Sequence, residues 1–199
     1  MTIQAVLLDL GNVLAFHDDV VLCRRLSEYG GAPPETIRER LLQLWDPINR
    51  GKLAGDDLRR TVCAAAGATT PMDPDAFFRT WSCHFRIHHE VLPLVESLLG
   101  RVKVALLSNT NEMHWRAVRP LLPVVERFAD RLLSYEHGLA KPEPEIFQLA
   151  AQRVGLPPQA CAYFDDLPAF VEASLGLGLQ GRVFTTAERF RQQLAELGL

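Results

Sequence analysis

Five short apolar runs, QAVLLDL, RVKVALLSN, RLLSYE, CAYFDD and GRVFTT, recur along the chain, with segments between them long enough for a helix and its loops. This alternation constrains the fold more than any other feature. Parallel strands need crossovers of a dozen or more residues, usually helical, and those helices cover both faces of the sheet. The pattern therefore predicts an α/β fold with a Rossmann-like parallel sheet core. Val91, Leu92, Val95, Leu98 and Leu99 form one apolar helical face and Ile146, Phe147, Ala150 and Val154 another, both suited to packing on the sheet.

One interval breaks the rhythm. About 85 residues separate the first apolar run from the second, and residues 17–86 read as helices only: DDVVLCRRLSEYG, PETIRERLLQLW, DDLRRTVCAAAG and DAFFRTWSCHF, punctuated by glycines and prolines. The expected organisation is an α/β core from residues 1–15 and 87–199, with an all-helical cap, residues 16–86, inserted after the first strand. Such an insertion would sit over the carboxyl ends of the strands as a lid.

Composition narrows the function. The 199 residues are 48% hydrophobic with a formal charge of −3, enough for a sizeable core and without the basic stripe that nucleic acid or an anionic membrane selects. Cys23, Cys63, Cys83 and Cys161 form no CxxC pair and read as reduced core thiols, which points to the cytoplasm. No stretch approaches the roughly 20 apolar residues that span a bilayer. Lysine is scarce: against 18 arginines stand only Lys52, Lys103 and Lys141. An ammonium is a compact charge that a guanidinium does not mimic, so each lysine is a candidate.

Open α/β sheets bind ligands at the carboxyl ends of their strands. There the chain places Asp9, then Ser108 with Asn109, Thr110 and Asn111, then Asp165 and Asp166, while Lys141 lies in GLAKPEPEIF just before a proline-rich helix start. Carboxylates that would repel one another can share Mg²⁺, a hard cation that takes carboxylates, waters and phosphate oxygens. Ser108 and Lys141 would hold phosphoryl oxygens and offset developing charge. Asp9 could attack phosphorus directly, giving an aspartyl-phosphate that water then clears.

This constellation resembles the haloacid dehalogenase (HAD) superfamily across essentially the whole chain. Its four signatures occur in order as LLDLGNVL, LLSNTN, GLAKPEPEIF and YFDD. The helical insertion looks like the C1 cap of subfamily I, and DLGNV is similar to a branch that includes bacterial phosphatases acting on glucose 1-phosphate. The resemblance implies Asp9 as nucleophile and metal ligand, Ser108 and Asn109 as phosphoryl binders, and Lys141 as their charge partner. It also implies Asp166 as a Mg²⁺ ligand, with Asp165 in or near the same shell and the backbone carbonyl of Gly11 as a further ligand. The expected partner is a small phosphorylated metabolite.

The chain departs from the family at Gly11, where most such phosphatases carry a second aspartate that protonates the leaving group and then activates water. General acid–base catalysis is worth roughly 10²–10⁴-fold in rate. A hemiacetal leaving group would need it less, which favours a sugar phosphate. His17, at the hinge of the insertion, is the residue that could face the site and replace that acid. A further departure is DDLPAF, with Leu167 and Phe170 where relatives often have polar residues.

Other polar residues have plainer readings. Asp18-Asp19 and Asp56-Asp57 precede helices and read as caps, as does Asn111. His84, His88 and His89 lack a matching ligand set for a metal. Trp45 completes an apolar face with Ile37, Leu41 and Leu42, while residues 49–52 are candidates for substrate contact. Three rival functions remain: a phosphate-binding or regulatory homologue without turnover, a metal-free 2-haloacid dehalogenase, and a receiver domain. The acidic pair disfavours the dehalogenase, and the order of the motifs disfavours the receiver. No GxxxxGK[ST] or GxGxxG turn is present.

Overall fold

The computed structural model describes residues 2–199. Its central strand is β1 (Ala5–Leu8), buried at every position. Because side chains alternate across a strand, Val6 and Leu8 point to one face and Ala5 and Leu7 to the other. After β1 the chain forms the short strand β2 (Ala15–His17) and five helices: α1 (Asp19–Gly30), α2 (Pro34–Leu42), α3 (Trp45–Asn49), α4 (Gly55–Ala65) and α5 (Pro74–Trp81). Strand β3 (Phe85–Ile87) and α6 (Leu92–Leu98) lead back to the sheet. The remainder is β4 (Lys103–Ser108), α7 (Glu112–Val118), β5 (Asp130–Leu133), α8 (Ser134–His137), α9 (Pro144–Val154), β6 (Cys161–Asp165), α10 (Pro168–Gly176), β7 (Gln180–Val183) and α11 (Ala187–Glu196).

Five strands pair in parallel in the order β5-β4-β1-β6-β7, the sheet that the alternation predicts. Leu8 lies beside both Leu106 and Phe164, so β1, β4 and β6 end side by side. From β1 the chain winds outwards through β4 to β5, then crosses to β6 and β7 on the far side. The crevice between β1 and β6 is therefore the topological switch point where ligands of such sheets bind. On one face the strands pack against Val95, Leu98 and Phe190, and on the other against Phe147, Ala150 and Val154.

Residues 17–86 are not helices throughout. Strands β2 and β3 pair antiparallel at the root of the insertion, with Phe16 beside Arg86 and His17 beside Phe85. A three-residue strand whose partner lies about 70 positions away has no periodicity of its own to read. The expected helix over PETIRERLLQLW also breaks after Leu42, and Leu42 is exposed rather than part of the apolar face. The five helices share a core of their own, which includes Leu26, Ile37, Ile48, Val62, Phe77 and Trp81.

In RLLSYE the strand stops at Leu133 and SYE turns into α8, closed by left-handed Gly138. Ser134 is the first residue of α8. Its buried hydroxyl accepts from the Thr110 amide and reaches the carbonyls of Thr110 and Asn49, which ties β4, α8 and α3 together.

Candidate active site

A cavity of about 300 Å³ lies over the carboxyl ends of β1, β4 and β6. Asp9, Ser108, Lys141 and Asp166 line its sheet side, and Trp45, Asn49 and His84 line the side facing the helices. Asp9, Ser108, Asn109, Thr110, Lys141 and Asp166, far apart in the chain, thus meet in one space, while Asn111 and Asp165 do not line it.

Lys141 organises the floor. Its ammonium donates to Asp9 Oδ1 at 2.8 Å, to Asp165 Oδ2 at 2.6 Å and to the Leu107 carbonyl at 3.1 Å, so all three protons are placed. Burial alone would push its pKa down, but the charges of Asp9 and Asp165 outweigh burial and hold it up. Burial likewise pushes the Asp9 carboxyl up, to about 6, against the pull of Lys141. Phe170, an apolar departure from the expected pattern, covers the ammonium with its ring centroid 5.2 Å from Nζ.

Asn109 fixes the lysine from outside. Its Nδ2 donates to the Lys141 carbonyl at 2.9 Å and its Oδ1 accepts from the Lys141 amide at 2.8 Å, so its side chain is committed to that backbone while the residue lines the cavity. Asn111 caps α7, as its position before the helix predicts, and Ser108 lines the cavity.

The two adjacent acids differ. Asp165 is fully buried, with Oδ2 taken by Lys141 and the Tyr163 hydroxyl and Oδ1 by the Leu167 amide. Asp166 faces the cavity, its Oδ2 accepting from Asn12 Nδ2 at 2.8 Å. Carboxylate oxygens of Asp9, Asp165 and Asp166 come within 4.8 Å of one another. Such a set of hard donors fits a hard divalent cation. Among the described residues it is the only such group of His, Cys, Asp or Glu, and none of His84, His88 or His89 belongs to it.

Other expectations are corrected. Asp18 caps α1 by accepting from the Val20 and Val21 amides, but Asp19 turns to the cavity, its Oδ1 3.5 Å from His17 Nδ1. That contact raises the His17 pKa above its ordinary value, against the effect of burial. Asp56 pairs with Arg59 and Arg60 instead of capping α4, whose N-cap is Ala54. Trp45 packs on Trp81 as a core residue, at 5.6 Å between centroids, yet also lines the cavity. Arg50 forks onto Glu143 with two 2.8 Å bonds, so it straps α3 to the lysine loop, and Lys52 stays outside the cavity. Cys83 is exposed, unlike the three buried cysteines. None of the described helices is long and apolar enough to cross a membrane.

Comparison with known proteins places these features in context. Residues 3–174 match the family described as haloacid dehalogenase-like hydrolase. A D-ribitol-5-phosphate phosphatase from Bacteroides thetaiotaomicron is 25% identical over 205 residues, spanning 96% of this chain and 97% of its own. The solved structure of a HAD family enzyme from Bacteroides thetaiotaomicron superposes with a TM-score of 0.87 at 25% identity, covering 98% of this chain and 99% of that one. A complex of such an enzyme with magnesium and inorganic phosphate gives 0.82 at 26% identity over 92% and 95% of the two chains.

Proposed function

The chain belongs to the haloacid dehalogenase-like hydrolases, and we propose that within them it is a Mg²⁺-dependent phosphatase of a small phosphomonoester, with a sugar or sugar-alcohol phosphate as the favoured class. The observation that carries this reading is the buried Asp9–Lys141–Asp165 cluster, which opens through Asp166 and Ser108 into a ligand-sized cavity. The phosphatase among the relatives and the magnesium and phosphate complex support it.

In this reading Asp9 attacks phosphorus and carries the phosphoryl group until water releases it. Lys141, pinned by Asp165 and Asn109, offsets the charge on the phosphoryl oxygens, and the Ser108 hydroxyl donates to one of them. Asp9 and Asp166 would hold Mg²⁺, which supplies Lewis-acid charge to the phosphoryl group. Asp165, with both oxygens engaged, serves the lysine. Residues 16–86 act as a C1-type cap on the core of residues 1–15 and 87–199, a division supported by the separate core of α1–α5.

The purified chain with Mg²⁺ should release phosphate from at least one ester in a panel of sugar 1-phosphates and sugar-alcohol phosphates. D9N or chelation of the metal should abolish that release. Mg²⁺ binding without release from any ester would favour a phosphate-binding homologue, the alternative that Gly11 keeps open. Metal-free turnover of a 2-haloacid would favour the dehalogenase.

A further inference from the structure

Asp9, Lys141 and Ser108 supply attack and charge, but expelling an alkoxide also requires a proton donor. Gly11 has no side chain to offer. A methyl group built on Gly11 would lie 3.3 Å from Cδ2 and 3.4 Å from Nε2 of His17, and 3.6 Å from Asp9 Oδ2. The His17 imidazole therefore borders the space that a side chain at position 11 would enter, and His17 and Asp9 both line the cavity.

The ring is held from both ends. Nδ1 faces Asp19 at 3.5 Å, and Nε2 accepts at 3.3 Å from Asn12 Nδ2, the amide that also donates to Asp166, so the neutral ring carries its proton on Nδ1 and Nε2 is the nitrogen free to take up another. A carboxylate behind one ring nitrogen orients the other towards the reacting group. The neighbouring imidazoles are not placed for this work. His114 is buried, and its nitrogens meet Asn111 and the Trp81 carbonyl, with no carboxylate behind either. His84 is buried, and its Nδ1 is without a polar partner among the described residues.

We propose that His17, oriented by Asp19, is the proton-transfer residue of this site; the proposal rests on the phosphatase reading. As the Asp9 oxygen bonds to phosphorus and the bond from phosphorus to the leaving oxygen breaks, the imidazolium of His17, its Nε2 turned from Asn12 to the leaving oxygen, gives its Nε2 proton to that oxygen, which departs as an alcohol. A water oxygen then bonds to phosphorus while one of its protons passes to Nε2. The bond from phosphorus to Asp9 breaks, which frees inorganic phosphate and restores both side chains.

The test compares two esters: a sugar-alcohol phosphate, whose alkoxide needs a proton, and a nitrophenyl phosphate, whose phenolate leaves without one. H17Q and H17A should lose roughly 10²–10⁴-fold in kcat/KM, which reports the step that expels the leaving group, on the first and far less on the second. D19N, acting through His17, should show the same split in smaller measure. G11D alone should lower activity by crowding the ring, whereas G11D combined with H17A should recover part of the loss on the alkyl ester. The His17 side chain is 37% exposed, so these variants should fold, with thermal transitions as the control. Equal losses in kcat/KM on both esters, or none on either, overturn the role of His17 and leave the phosphatase reading standing. A wild-type chain that releases phosphate from neither ester overturns both.

Discussion

At the floor of the cavity Lys141 and Asp165 have every charged atom fixed, and Asp9 is held through Oδ1. Lys141 places three protons at 2.6–3.1 Å, and Asp165 spends both oxygens on Lys141, Tyr163 and Leu167. The mouth is looser: Asp166 is held by one asparagine amide, and His17 and Asp19 are 37% and 39% exposed at a separation of 3.5 Å. A floor built this way is already organised for developing charge. The mouth holds groups that can exchange protein partners for a cation, a substrate oxygen or a proton. Pre-organisation and exchange are thus divided between two sets of side chains within one cavity.

The largest effect should come from emptying the floor. K141M leaves the carboxylates of Asp9 and Asp165 buried without their cation, an arrangement that costs about 3–5 kcal/mol when one partner of a buried pair is removed. Urea unfolding should show this loss together with absent turnover, and a loss within about 0.5 kcal/mol would mean the floor is not locked by charge. A sharper comparison makes the same change at adjacent positions. D165N removes a charge that the buried lysine needs and should destabilise by about 1–3 kcal/mol. D166N should leave stability within about 0.5 kcal/mol while weakening Mg²⁺ binding in calorimetry. Equal effects at the two positions would erase the distinction between floor and mouth.

The same division governs how much was legible beforehand. Strands β1, β4 and β6 announce themselves as apolar runs, and the strand-end rule brings Asp9, Ser108 and Asp165-Asp166 together without coordinates. Lys141 stands out through its scarcity and its place before Pro142. What the residues do not encode locally is which partner each polar atom takes. Asp165 and Asp166 are told apart beforehand only through the family resemblance; in the structure Asp165, the last residue of β6, goes to the floor and Asp166, in the bend that follows, to the mouth. Asp19 looks like a second cap because it follows a true one, and its turn towards His17 depends on β2 pairing with β3. Asn109 and Arg50 bond to residues 32 and 93 positions away, contacts that no local pattern displays.

The smallest expected effect separates two imidazoles at the mouth, 6.4 Å apart between ring centroids and shifted in opposite directions. Burial holds the His84 pKa down to about 4, against the charges of Asp19 and Asp18 and with the help of His17, whereas Asp19 holds His17 up. In the unfolded chain both titrate near 6.5. A depressed pKa gives stability that is complete above about 6.5 and is lost as pH falls towards 4, at roughly 1.4 kcal/mol per unit once well below 6.5. A raised pKa has the opposite sign: the His17 contribution is complete below 6.5 and is lost as pH rises through its folded value. Between pH 7 and 5.5 the thermal midpoint of the wild-type chain should therefore fall relative to that of H84Q, because only the wild type loses the His84 contribution. H84Q, neutral throughout, keeps the contributions of His17, Asp9 and His114, so the difference between the two midpoints isolates His84. If H84Q kept the wild-type slope, His84 would not be the group taking up the proton, and the buried His114, also held well below its ordinary pKa, would be next to replace.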